Sequence, residues 1–279
     1  MKLKSLILIF AATTLIIAQE KDSTLNKWIP SAVTGFNISQ LALSNWSQGG
    51  ENSLTWTITG DISYNYKSKN LNFKNNLKLA YGRTKLGSDD FKTNDNDIYL
   101  ESVISKNVGW KVNPYFSNTV RTSITVGYDY DTTPKTEIVN FFDPGYVTQS
   151  LGFYYEPSKK FNTRLGIAVE EVLTNNNTKY ADDKSTTKIE KTGVDAGLES
   201  VTSIEQTIAE NLLLKSKLRL FTRFNSLDVW DVRWDNTIVA KINSFMNVNF
   251  TFLLVYQEDQ SLKVQIKQGL QIGFLYRIL

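Results

Sequence analysis

Asp231 and Asp235 flank Arg233 at a spacing of two residues on either side, and Glu170 and Glu171 are adjacent. Paired carboxylates are the equipment of glycoside hydrolysis, one acting as acid and the other as base or nucleophile. Histidine and cysteine are absent from the sequence. That removes Ser-His-Asp hydrolysis, thiol nucleophiles, most zinc sites, disulfides and a cysteine-borne lipid anchor. Catalysis would have to run on carboxylates, Lys, Arg, Tyr and Ser.

Spacing decides between chemistry and architecture. Successive side chains of an extended strand point to opposite faces. Glu170 and Glu171 therefore face apart, whereas Asp231, Arg233 and Asp235 share one face and read as a ladder of alternating charge. The acidic stretches SDDFKTNDND (88–97) and ADD (181–183) offer the oxygen ligands that calcium takes. They lack the EF-hand spacing and its glycine, so they read as solvated loops. No metal site, no cofactor and no enzymatic activity is expected.

The elements that carry these charges have period two. Leu54, Trp56, Ile58, Ile62, Tyr64 and Tyr66 alternate with Ser53, Thr55, Thr57, Thr59, Asp61, Ser63 and Asn65, so one face is apolar and the other polar. The pattern recurs through Leu71–Tyr81, Ile98–Ile104, Trp110–Tyr128, Leu151–Tyr155, Phe161–Val169, Val194–Ile204, Leu212–Leu220, Trp230–Ile242, Val248–Tyr256 and Val264–Ile278. With Phe36–Leu43 as the first, these make about twelve strands, most of about 10–18 residues, against five or six in ordinary globular sheets. A tilted membrane strand needs about 9–11 residues to cross the hydrocarbon. Length argues for an all-β, transmembrane antiparallel β-barrel and against a soluble sandwich.

The connections give a second test. Turns at 67–70, 106–109, 156–160, 209–211 and 243–245 alternate with polar connections at 44–52, 84–96, 131–145, 174–187, 225–228 and 258–261. Short turns on one side and longer loops on the other are the habit of outer-membrane barrels. Trp56, Tyr64, Tyr66, Trp110, Tyr128, Trp230, Phe245, Tyr256 and Tyr276 fall near strand ends, as two interfacial girdles require.

The opening residues MKLKSLILIFAATTLIIA carry Lys2 and Lys4 before a short apolar run, the pattern of a cleaved secretory signal peptide. The expected layout is a signal peptide over 1–18, a short periplasmic segment over 19–32 and a barrel over 33–279, monomeric as a barrel and placed in the outer membrane of a Gram-negative cell. At 279 residues, 21% charged and a formal charge of +3, the chain has no basic block that would mark a nucleic-acid partner. The partners expected are outer-membrane lipid and lipopolysaccharide, and other outer-membrane proteins.

The polar face of the strands would line the lumen. In phase with it lie Lys74, Lys78, Arg121, Arg164, Lys215, Lys217, Arg219, Arg223, Arg233, Lys263 and Lys267, with Asp61, Glu101, Glu170, Asp195, Glu199, Asp231 and Asp235. Two functions fit. One is a narrow passive channel, slightly cation-lined and favouring small anionic solutes, since charged rings on a pore wall set selectivity. The other is a structural or accessory subunit of an outer-membrane complex, its lumen plugged by paired charges and its loops 84–96, 131–145 and 174–187 serving as interaction surfaces. A twelve-stranded interior lies between filled eight-stranded and open sixteen-stranded barrels, and the sequence leaves both standing.

The stretch SQLALSNWSQGGENS (39–53) holds Trp46 in a polar, glycine-bearing loop. Ser39-Gln40, Asn45-Trp46 and Gly49-Gly50-Glu51-Asn52-Ser53, then Phe73-Lys74-Asn75, Tyr81-Gly82 and Lys92-Thr93 with Asp95, resemble the signature of a Bacteroidota outer-membrane family, domain of unknown function 3078. Phe73 stands where that family usually has tryptophan. The segment FFDPGYVTQSLGFYYEP (141–157) is similar to a later tract of the same family. The resemblance implies an outer-membrane barrel and brings no activity or catalytic residue with it. Asn45, Trp46, Gly49 and Gly50 form its signature loop, which reads as the first outer loop. There Trp46 is an interfacial anchor or, on the alternative, a sugar-stacking ring.

Overall fold

The computed structural model describes residues 25–183, 185–258 and 260–279; the signal-peptide segment 1–18 lies outside them. Twelve long strands close into one antiparallel cylinder: β1 (Lys27–Leu41), β2 (Ser53–Lys67), β3 (Leu71–Leu86), β4 (Lys92–Lys106), β5 (Val112–Thr122), β8 (Gly145–Ser158), β9 (Phe161–Leu173), β10 (Thr192–Ala209), β11 (Leu212–Arg223), β12 (Ser226–Lys241), β13 (Met246–Gln257) and β14 (Ser261–Arg277). Two short strands, β6 (Gly127–Asp129) and β7 (Thr136–Val139), pair as a separate hairpin within the connection from β5 to β8. Each barrel strand pairs with its chain neighbours, and β1 meets β14 to close the wall.

Burial is inverted relative to a soluble protein. Leu151, Leu165, Ile167 and Leu270 are 56–63% exposed on the outer face, while Glu199 and Glu170 are 1% and 2% exposed inside. A continuous exposed apolar surface around a closed wall has no stable home in water. In hydrocarbon it does, because closure leaves no backbone group unpaired. This is a membrane-spanning barrel. None of the described helices is long and apolar enough to cross a membrane.

Aromatics frame the apolar band. At one end Trp28 stacks on Tyr64 (4.6 Å, 8°) and meets Tyr66 and Phe73 at 5.2 and 5.7 Å. Toward the other, Trp56 meets Tyr81 edge-on at 6.0 Å. Trp56 and Tyr66 are ten residues apart on β2, about 33 Å of strand. Tilted by about 40°, that spans about 25 Å, the height of an outer-membrane apolar belt.

The connections fall into two sets. The turn end carries 68–70, 107–111, 159–160, 210–211 and 242–245; the loop end carries 42–52, 87–91, 123–144, 174–191, 224–225 and 258–260. Four expectations are corrected here. The first strand begins at Lys27, inside the segment 19–32 assigned to a free N-terminal stretch. The connection expected at 84–96 shrinks to 87–91, because β3 and β4 run on past the apolar band. Both faces of the sheet are wet there, so no hydrophobic alternation marks the strand.

The strand expected to reach Tyr128 ends at Thr122. The Asn96 side-chain oxygen accepts the backbone N–H of Ile124 and of Thr125 and draws the chain out of the ladder. Tyr128 therefore sits in the β6–β7 hairpin, against the Lys135 ammonium, and not in a girdle. Finally, the loop expected over 174–187 extends to residue 191.

Candidate functional site

The inward-facing charges meet in the lumen as a lattice of ion pairs, built by alternation along each strand. On β11 the inward phase presents Lys215, Lys217, Arg219 and, past a register shift, Arg223. On β4 it presents Asp95, Asp97, Tyr99 and Glu101.

Glu101 is the hub. One of its carboxylate oxygens accepts from Arg164 of β9 at 2.7 Å and the other from Lys217 of β11 at 2.7 Å. Between β4 and β11 stand β5, β8, β9 and β10 on one side of the ring, so the Lys217 bond spans most of the barrel's width. The Tyr99 hydroxyl donates to Glu101 at 2.9 Å and accepts from Lys217 at 2.9 Å. The Tyr99 ring lies between Lys217 (4.6 Å) and the Arg121 guanidinium (5.2 Å).

Toward the loop end, Arg219 donates to Glu199 at 2.8 Å and to Glu170 at 2.5 Å. Thr148 supplies a further hydrogen bond to Glu170 at 2.9 Å. Arg223 pairs with Asp195 at 2.7 Å and with Asp231 at 3.2 Å. Arg121 grips Asp97 with two bonds, and Arg233 does the same to Asp235. Toward the turn end Lys74 reaches from β3 to Glu156 of β8 at 2.5 Å and to the Tyr154 hydroxyl at 3.1 Å. Lys267 of β14 crosses to Asp95 of β4, and Lys215 pairs loosely with Glu205 at 3.6 Å.

Of the eleven cations singled out from the sequence, nine thus face a carboxylate. Lys78 lies opposite Asp61 in the β2–β3 register, with no ion pair closed among the described residues. Lys263 shares the phase of Lys267 near the start of β14.

Four of the partners, Asp95, Asp97, Glu156 and Glu205, are missing from the sequence-derived set. Asp95 and Asp97 read as a solvated loop, although their spacing of two, with Asn96 between, already carries the signature of a strand face. Their acids balance the wall, so the lumen is charge-compensated. Among the described residues no group of acids could hold a metal ion.

Asp231 and Asp235 do not act on one another. Asp231 is held by Arg223 and by the backbone N–H of Glu258 at 3.2 Å, and Asp235 by Arg233. A cavity of about 70 Å³, lined by Tyr99, Arg121, Tyr146, Arg219, Asp231 and Arg233 among others, remains between these tiers. That is room for a few waters.

The signature loop is built as a turn. Gly49 and Gly50 take φ of 81° and 120°, Asn45 takes 54°, and the Asn52 side chain accepts the Leu43 N–H at 2.6 Å. These are left-handed conformations that glycine and asparagine tolerate. Trp46 is 56% exposed at the loop end. Further along the signature, Asn75 pins strands together, donating to the Tyr64 carbonyl at 3.2 Å and accepting from Ser102 at 2.6 Å.

The loop end is itself folded. Asp143, buried in the connection 123–144, accepts the backbone N–H groups of Asn175, Asn176 and Asn177 from the connection 174–191. Burial pushes its carboxyl up, but these donors and the Asn177 amide outweigh that and hold its pKa below the ordinary carboxylate value.

Among solved structures, the chain is similar to the translocator domain of autotransporter NalP from Neisseria meningitidis, at 11% identity over 90% of this chain and 88% of that one, with a TM-score of 0.38. It is similar to an outer membrane channel from Pseudomonas putida F1 at 12% identity, 89% and 94% coverage and a TM-score of 0.41. The beta domain of the Bordetella autotransporter BrkA gives 10%, 88%, 98% and 0.32. Likeness at this level transfers no activity. No curated protein matches. The family model described as "Protein of unknown function (DUF3078)" matches residues 38–128, from β1 through β6, so the tract 141–157 lies beyond it. The match to this family therefore runs from the end of β1 through β5 and into the β6–β7 hairpin.

Proposed function

We propose that this chain is an integral outer-membrane β-barrel whose lumen is held shut by its charge lattice, and that it works as a non-enzymatic structural or accessory subunit. Its folded loops 123–144 and 174–191 are the surface offered to other outer-membrane components. One observation carries the reading. Glu101 is shared by Arg164 and Lys217 from two other strands, which places a bonded bridge across the path a solute would take. The turn end then faces the periplasm and the loop end the outside, following the habit of short periplasmic turns.

The decisive experiment is conductance in planar bilayers. The purified barrel is expected to insert without stable current steps at moderate voltage. A steady open conductance in the unmodified protein would overturn the closed lumen.

A second reading, a narrow passive channel for small anionic solutes, draws on the cavity ringed by Arg121, Arg219 and Arg233 and on Lys78, whose amine is left without an ion pair among the described residues. Liposome swelling by small anions, absent for cations of the same size, would favour that reading. Co-purification of a stoichiometric outer-membrane partner in detergent would favour the first.

A further inference from the structure

The lipid-facing side of β2 and β3 changes character toward the loop end. Register places Leu54 opposite Lys85 and Trp56 opposite Arg83. Trp56 and Tyr81, in edge contact, mark interfacial depth. Arg83 and Lys85 lie further along β3 toward the loops, at the depth of lipid headgroups. The Arg83 guanidinium rests over the Phe91 ring at 5.7 Å and donates to the Phe91 carbonyl, while its Nε is buried without an acceptor. Lys85 has no carboxylate partner among the described residues.

Beside Lys85 a crevice of about 230 Å³ opens between the end of β1, the start of β2 and the β3–β4 turn. Gln40, Asn52 and Ser53 give it polar groups, and Leu41 and Leu54 an apolar floor. Two cations at headgroup depth, next to a recess with hydrogen-bonding groups and an apolar base, match one ligand chemistry: an anionic phosphate carrying hydroxyls and, when lipid-borne, acyl chains.

We propose that this crevice binds a phosphate group on Lys85 at its wall, with Arg83 two residues away on the same strand face, as the headgroup of an outer-leaflet lipid or as free phosphate. The site rests on the orientation given above, which sets the loop end in the outer leaflet. Gln40 and Asn52 bind the hydroxyls, and Leu54 and Trp56 lie along the acyl chain. The Glu51 carboxylate, which lies against Gly87 at the rim, opposes the phosphate and limits its affinity.

The test is native mass spectrometry of the detergent-solubilised barrel with bisphosphorylated lipid A, with its dephosphorylated form, and with inorganic phosphate as competitor. Retention of the phosphorylated lipid is expected to fall about tenfold or more in Arg83→Gln/Lys85→Gln. It should be kept in Lys85→Arg, strengthened in Glu51→Gln and unchanged in Lys111→Gln at the turn end. Competition by millimolar inorganic phosphate assigns the site to free phosphate, and resistance to it assigns the lipid headgroup.

Equal retention of the dephosphorylated lipid, or of the phosphorylated lipid by the double variant, would overturn the proposal. Heat-modifiable gel migration is read on every variant first. If the unmodified protein lacks it, the membrane-barrel reading fails rather than the crevice.

Discussion

The carboxylate of Asp143 accepts the backbone N–H groups of Asn175, Asn176 and Asn177 at 2.8, 2.9 and 3.1 Å. One side chain thereby ties the connection between β5 and β8 to the connection between β9 and β10. It lies just ahead of Thr178–Tyr180, a single 3-10 turn whose N-cap Asn177 has no side-chain cap of its own. Asp143 thus holds the three residues that lead into that turn.

Asp143→Ala should therefore loosen one end of the molecule and leave the other alone. Each unsatisfied buried N–H costs about 1–3 kcal/mol unless water replaces the acceptor. Limited proteolysis is expected to cut within 174–191 several-fold faster in the variant, while heat-modifiable migration of the barrel stays as in the parent. Equal cutting rates would mean the clamp is not what orders the loop.

Acid should act on the same contact. The folded-state pKa of Asp143 is depressed, so the stabilisation is complete above the ordinary carboxylate range and is lost as pH falls through the folded value. Cleavage of 174–191 by an acid-active protease should stay flat down to about pH 4 and climb below it. Asp143→Asn, which has no such titration, should lose the climb. A rise that begins near neutrality would point to another group.

Glu101→Gln removes the charge shared by Arg164 and Lys217, whose side chains are 5% and 24% exposed. Stranding buried cations costs about 3–5 kcal/mol. The temperature at which the folded gel band disappears should drop clearly, and bilayer recordings should begin to show transient openings. A variant as heat-stable and as silent as the parent would remove Glu101 from its place as hub.

Two exposed apolar side chains should respond unequally to the same substitution. Leu151 is 56% exposed on β8 within the belt, and Ile189 is 73% exposed in the connection 174–191. Arginine at position 151 should cost about 2–4 kcal/mol of folding into lipid, whereas arginine at 189 should stay within about 0.5 kcal/mol of the parent. Urea titration in vesicles measures both. Equal effects would argue that the exposed band does not face hydrocarbon.

Strand number, antiparallel order and the inward phase of the charges could be read directly from the alternation, because lipid on one side and water on the other enforce period two. Where lipid stops, that signal stops. The loop-end halves of β3 and β4 are wet on both faces, and Lys92–Asp97 read as loop although they continue a ladder; at the start of β1, adjacent Trp28 and Ile29 followed by Pro30 break the alternation.

Pairing was less legible than phase. That Arg164 and Lys217 would share Glu101 depends on how far strands are offset around a closed wall, which no local pattern encodes. The grip of Asp143 on Asn175–Asn177 joins residues 32 to 34 positions apart. FFDPGY and TNNNTK each look like ordinary turn sequence until they are brought together.

The seam between β1 and β14 has six register pairs, Val33–Ile38 against Ile272–Arg277, and backbone bonds from Ala32 to Ile278 and Leu279 beyond them, against fifteen pairs between β1 and β2. A cylinder with one short ladder is mechanically uneven. Pulled sideways it should part along that line first, as a zipper opens at its sparsest teeth. The two edges so freed would bare backbone N–H and C=O groups, beside Phe36, Ile272 and Phe274, which already face outward. The seam is thus the line along which a sideways load would be felt first, and the hydrocarbon outside it, which cannot pair a bared backbone, is what keeps it fastened.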